Sequence, residues 1–118
     1  MKLLVTGGRF WFNRIETDLF LEFIHEHEGI TTLIHGDAAG ADTLCGEWAI
    51  RNNIAVEVYP ITKEDWRRLG NKAGPIRNQQ MIDDGKPDML VAFPGANGTA
   101  DMKRRAKRHK LEIMEWKP

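Results

Sequence analysis

Three short segments of this 118-residue chain combine glycine with polar side chains. They are Gly7-Gly8-Arg9, His35-Gly36-Asp37-Ala38-Ala39-Gly40-Ala41-Asp42 and Pro94-Gly95-Ala96-Asn97-Gly98-Thr99. A glycine turn that opens a helix lets the backbone approach a ligand closely, and the free first-turn N–H groups, at the positive end of the helix dipole, favour an anion. Phosphate fits that chemistry best. Arg9 can add paired hydrogen bonds to a phosphate. Thr99 can cap its helix and also offer a hydroxyl to a phosphate oxygen. Asp37 and Asp42 flank the second turn, where a carboxylate can accept from ribose hydroxyls; Asp42 can equally complement the dipole of its own helix.

For these turns to form one site, the elements before and after them must bring them to one edge. Leu3–Thr6, Ile30–Ile34, Ile54–Tyr59, Met89–Phe93 and Leu111–Trp116 read as short apolar or alternating strands. Between them, Asn13 followed by Glu16 marks a helix start, with Ile15, Leu19, Phe20, Phe23, Ile24 and His27 at helical spacing and Gly29 as its stop. Ala41, Leu44, Cys45, Trp48 and Ala49 form a second helical stripe, which assigns Cys45 and Trp48 to the core. Ile61 to Gly74 shows no clean period and reads as irregular. Pro75 is expected to open a helix that Gly85 stops, and the last helix is expected from Thr99 or Ala100 to about His109.

Alternation of strand and helix, with connections too long for hairpins, predicts an α/β Rossmann-like three-layer sandwich. Its mostly parallel five-stranded sheet should run in the order 3-2-1-4-5. All strand-to-helix turns then share the carboxyl edge of the sheet, and the winding reverses between the first and fourth strands, where ligands bind in such sheets.

Composition bounds the rest. The length suits one domain over residues 1–118. Seventeen basic and seventeen acidic residues give no net charge, so any polyanion binding must come from a local patch. A single cysteine excludes an internal disulfide and fits a reducing cytoplasm. No apolar run approaches the roughly 20 residues of a membrane span, so a soluble cytoplasmic protein without membrane contact is expected.

Four separated motifs, "GGRFWFNR", "LIHGDAAGADTLCGEWA", "KAGPIRNQQMI" and "AFPGANGTADM", resemble the YspA-type, cpYpsA-related proteins of the SLOG superfamily, in order and along the whole chain. That resemblance implies a Rossmann-like domain that binds nucleotides or nucleotide derivatives such as NAD or ADP-ribose, with phosphate held by the turns after strands 1 and 4. It also implies that Lys72, Arg77 and Asn78 lie beside the site: the two cations toward phosphate, Asn78 toward a base or ribose edge. Arg77 near a helix start opposes the helix dipole, a local conflict of the sort found at functional sites. The superfamily includes phosphoribohydrolases, which carry a glutamate three residues after the threonine of PGG-x-GT-x-x-E. This chain has Met102 there and Ala96 at the second motif glycine, and Asp101, one residue early, is expected to point elsewhere. Binding without cleavage is therefore the leading expectation, with no catalytic residue assigned and no cofactor required. A hydrolase acting on an N-glycosidic or phosphate-linked nucleotide derivative is the alternative.

Several residues keep two readings. Trp66, in polar company, can cover a nucleobase or pin its loop. Of Phe10, Trp11 and Phe12, at least one must face outward as a lid or partner surface, which leaves room for a homo-oligomer. His25 and His27 point in different directions on a helix, so no metal site is expected. The cations Lys103 to Lys110 suit an outer helix end; the relationship to the DNA-processing protein DprA makes nucleic acid the second alternative, which the balanced charge disfavours.

Overall fold

The computed structural model describes residues 1–118 as one sheet with helices on both faces. The strands are β1 (Lys2–Thr6), β2 (Thr32–His35), β3 (Ala55–Val58), β4 (Met89–Ala92) and β5 (Glu112–Glu115). They lie in the order β3-β2-β1-β4-β5, and every pair is parallel, with Leu4 opposite Ile34 on one side and Leu90 on the other. The helices are α1 (Arg14–Glu28), α2 (Ala41–Arg51), α3 (Lys63–Leu69), α4 (Ala73–Asp83) and α5 (Asn97–Arg108), with a 3-10 turn at Gly70–Lys72 between α3 and α4.

Alternation along the central strands divides the core in two. Leu3, Val5, Met89, Val91 and Phe93 pack against Leu21 and Ile24 of α1 and Ala41, Cys45 and Trp48 of α2. Leu4 and Leu90 face the other way, onto Met81 and Ile82 of α4 and Met102 and Ala106 of α5. A period of two sends successive side chains to opposite faces, so one short strand serves both layers.

Four expectations need correction. In α1 the buried residues are Thr17, Leu21 and Ile24, while Ile15, Leu19 and Phe23 are exposed. Both sets have helical spacing, and contact with α2 and the sheet selects the one that carries the small Thr17, whose hydroxyl bonds Trp11 Nε1 at 2.8 Å. Ile61 to Gly74 is not irregular, since it holds α3, started by a capping box between Thr62 and Asp65. That helix buries no residue, and so has no apolar stripe to betray it. Helix α5 begins at Asn97, two or three residues earlier than expected, and its N-cap is Ala96 without a side-chain cap bond. Thr99 therefore does not cap it. Pro75 is likewise the third residue of α4 rather than the first.

Among the aromatic trio, Trp11 turns inward and stacks on Phe93 at 5.6 Å and against Trp116 at 4.7 Å. Phe10 and Phe12 stand exposed.

Candidate functional site

The first and fourth turns interlock. Gly8 N–H donates to the Pro94 carbonyl at 2.8 Å. A Cβ on Gly8 would lie 2.9 Å from that oxygen and 3.1 Å from Gly95 Cα, and one on Gly95 would strike Thr99 Oγ1 and the Gly8 nitrogen. Gly7 faces Ala41 and Phe93 just as tightly, and Gly40, at φ 79°, lies against the backbone carbonyls of Gly8 and Arg9. Ala41 N–H completes the brace by donating to the Gly8 carbonyl at 3.2 Å. These glycines are required for backbone to meet backbone. Gly98 differs: nothing lies within 4 Å of where its Cβ would stand.

The interlocked turns floor a cleft of about 1080 Å³ at the carboxyl edge of β1 and β4, just above the roughly 300–1,000 Å³ usual for small-molecule sites. The starts of α2 and α5, one face of α4 and Trp66 of α3 wall it. At the start of α5 the first helical bond is Ala100 N–H to Ala96 C=O, and no protein acceptor takes the N–H groups of Asn97, Gly98 or Thr99. Arg9 lies at the mouth, its guanidinium carbon 5.4 Å from the centre of the Phe10 ring, and has no acidic partner. Unpaired donors on a helix start with a free cation nearby make an anion-binding corner.

Arg77 spans the interior. Its Nη1 donates to the carbonyls of Gly36 at 2.5 Å and Tyr59 at 3.3 Å, and its Nε reaches Asn78 Oδ1 at 3.4 Å. The guanidinium occupies the space a side chain on Gly36 would need. Burial pulls its pKa down, against the opposing carboxylates of Asp42 and Asp37. Asn78, buried, donates to Asp101 Oδ2 at 3.0 Å and to the Gly98 carbonyl at 3.3 Å, tying α4 to the first turn of α5.

Asp42 accepts the N–H groups of Gly36 at 3.0 Å and Ala38 at 3.2 Å. Burial raises its pKa above the ordinary carboxylate value; these hydrogen bonds and the neighbouring His35 and Arg77 oppose the rise. Beside it, His35 Nδ1 accepts the Asp37 N–H at 2.9 Å, and Asp37 itself sits in the left-handed region at φ 60°. Asp37 thus shapes the second turn with its backbone.

The cleft gathers Gly7, Gly8, Arg9, Asp42, Trp66, Arg77, Asn78, Pro94, Gly95, Gly98 and Thr99. Gly36, Asp37 and Gly40 do not line it, because they brace Arg77, His35 and the first turn. Lys72 is not among the cleft residues and lines an adjoining groove of about 620 Å³ along α4. It is the last residue of the 3-10 turn that follows α3, a helix not legible as an apolar pattern. Trp66 is about half exposed and lines the cleft.

The cleft is also lined by Asn71, Asn97, Asp101 and Arg104, none of which was expected to be a ligand contact. Asp101 does point toward the cleft, contrary to expectation. It accepts from Arg105 Nε at 2.8 Å and pairs with Arg104 at 3.6 Å. Burial pushes its pKa up, but the bonds from Arg105 and Asn78 outweigh this and hold it below the usual value. Because the α5 register starts at Asn97, Met102 falls on the sheet side, fully buried. Elsewhere, Lys103 pairs with Glu115 at 2.8 Å, which leaves Lys107, Arg108 and Lys110 as exposed cations.

Fold and cleft together define a Rossmann-like domain with a small-molecule-sized site at the winding reversal of its sheet. The chain belongs to the YspA, cpYpsA-related SLOG family, whose model matches residues 1–68. It is also 30% identical, over 98% of its length and 95% of the relative's, to the Gene 61 protein of Mycobacterium phage D29. Among solved structures, UDP-GlcNAc 2-epimerase from Neisseria meningitidis, bound to UDP-GlcNAc, matches with a TM-score of 0.54 and 17% identity over 98% of this chain. The chain spans 32% of that enzyme's length, and the likeness is one of fold.

Proposed function

We propose that this protein binds a nucleotide or nucleotide derivative in the cleft, with a phosphate held at the start of α5. The observation that carries the reading is the set of unpaired N–H groups at Asn97, Gly98 and Thr99, open to the cleft beside the unpaired Arg9. Family membership fits a nucleotide-related ligand, and the epimerase of similar fold holds a nucleotide sugar. Trp66 presents an aromatic surface on which a base can stack.

Binding without turnover suits the side chains better than hydrolysis. Asp101, the acid closest to the phosphate turn in sequence, is engaged by Asn78, Arg104 and Arg105, and Met102 is core. The cleft offers no nucleophile paired to a base.

The test is thermal unfolding with AMP, GMP, NAD and ADP-ribose. A ligand bound only by the folded state raises the melting temperature, and saturation at about 100 times Kd adds roughly 2.7 kcal/mol. At least one of the four is expected to do so. No shift with any of them, together with oligonucleotide binding of steep salt dependence, would transfer the function to the cations at the end of α5.

A further inference from the structure

Asp42 is only 6% exposed, yet it forms part of the cleft lining. Its two carboxylate oxygens are treated unequally. Oδ2 takes the N–H groups of Gly36 and Ala38, which orients the carboxylate, while no protein donor reaches Oδ1. Oδ1 is not among the polar atoms sealed in the interior, so it is left to solvent or to a ligand in the cleft, and a ligand that displaces the solvent must return a donor.

The two side-chain donors nearby, Arg77 and His35, make no hydrogen bond to that oxygen. Arg77 turns its fork to the carbonyls of Gly36 and Tyr59 and to Asn78. His35 accepts the Asp37 N–H at Nδ1, which puts its own proton on Nε2, and that N–H makes no hydrogen bond to Asp42. The open oxygen is therefore an acceptor offered to whatever enters the cleft, and it repels anything anionic. Its chemistry complements that of the α5 start, where donors await an anion. One ligand that satisfies both must carry a phosphate at one end and a neutral hydroxyl or amine donor further along.

Resting on the nucleotide-binding reading of the same cleft, we propose that Asp42 Oδ1 accepts a ribose hydroxyl and makes the protein selective for ribonucleotides over their deoxy counterparts. The phosphate supplies affinity and is shared by both classes. The hydroxyl supplies discrimination, because an analogue without it excludes water from Asp42 and returns no donor.

Calorimetric titration of the wild-type protein with AMP, 2′-deoxy-AMP and 3′-deoxy-AMP tests this without altering the site. At least one deoxy analogue is expected to bind about tenfold or more weakly than AMP. Binding of all three within about twofold, on the scale where tenfold is 1.4 kcal/mol, would overturn the role of Asp42 and leave the nucleotide reading intact. Failure of AMP, GMP, NAD and ADP-ribose alike to bind would overturn both. Asp42→Asn supplies the second arm: its amide oxygen can still accept from Gly36 or Ala38 while an NH₂ replaces Oδ1. In the folded variant the preference for AMP over the discriminated analogue should collapse toward unity, and a preserved preference would remove Asp42 from recognition. If the variant does not fold, the wild-type titration decides alone.

Discussion

Gly8 and Pro94 are joined by a 2.8 Å backbone hydrogen bond that fastens the turn after β1 to the turn after β4. Gly95 Cα packs so close to Gly8 that neither position has room for a side chain. The two turns thus form a single rigid floor, on which the first turn of α5 is aimed into the cleft. Glycines that resemble ligand contacts are, at Gly8 and Gly95, contacts between the turns themselves.

Gly8→Val is expected to destabilise the protein by about 1–3 kcal/mol, the usual cost of overpacking. Urea unfolding measures this. An unchanged midpoint would show that the interlocked turns are dispensable to the fold.

Gly98→Val should behave in the opposite way. A Cβ there has no protein atom within 4 Å, so stability should stay within about 0.5 kcal/mol of wild type. The new side chain stands by the unpaired N–H groups, and affinity for whichever nucleotide raises the melting temperature should fall about tenfold or more, as for a lost charge-assisted bond. Equal affinity in a folded variant would dismiss the proposed phosphate turn.

His35 predicts a pH dependence of stability. Burial lowers its pKa below the ordinary 6.5, against the raising charges of Asp42 and Asp37 and with Arg77 reinforcing the shift. The bond that its Nδ1 accepts from Asp37 N–H also requires the neutral ring. Its folded pKa lies below the unfolded one, so its contribution is present above 6.5 and is lost as the pH falls through the depressed value. The wild-type melting temperature should drop more between about pH 7 and about pH 5, the range where histidine titrates, than that of His35→Asn, which can keep an acceptor and does not titrate. Parallel profiles would count against a neutral buried His35.

Leu21 and Leu19, two residues apart on α1, should respond very differently. Leu21 is fully buried and Leu19 is 56% exposed. Leu21→Ala should cost about 2–5 kcal/mol; Leu19→Ser should stay within about 0.5 kcal/mol. Chemical denaturation of both variants checks the assignment of the core face, and comparable losses would refute it.

Much of the architecture was legible in the residues. Alternating strands and helical stripes are written in near-neighbour spacing, and long connections between short apolar strands force parallel pairing with helices on both faces. From that follow the order β3-β2-β1-β4-β5 and the meeting of the first and fourth turns at one edge. The stripe Ala41, Leu44, Cys45, Trp48 and Ala49 was equally readable, and all five are buried.

Tertiary packing decided the rest. Helix α1 carries two stripes of valid spacing, and only the surface it meets chooses Leu21 over Leu19. Helix α3 buries nothing, so its only local mark is the Thr62 and Asp65 capping box, and without α3 the placement of Lys72 in the adjoining groove could not be foreseen. The start of α5 at Asn97 sets which side Asp101 and Met102 face, since each residue turns a helix by about 100°. Contacts such as Gly8 with Pro94, Arg77 with Gly36 and Asn78 with Asp101 join residues far apart in the chain. The chain by itself determined which turns reach the rim; only the close packing of distant backbone decided which groups there stay unpaired, because a hydrogen-bonding group is free only when no neighbour in space claims it.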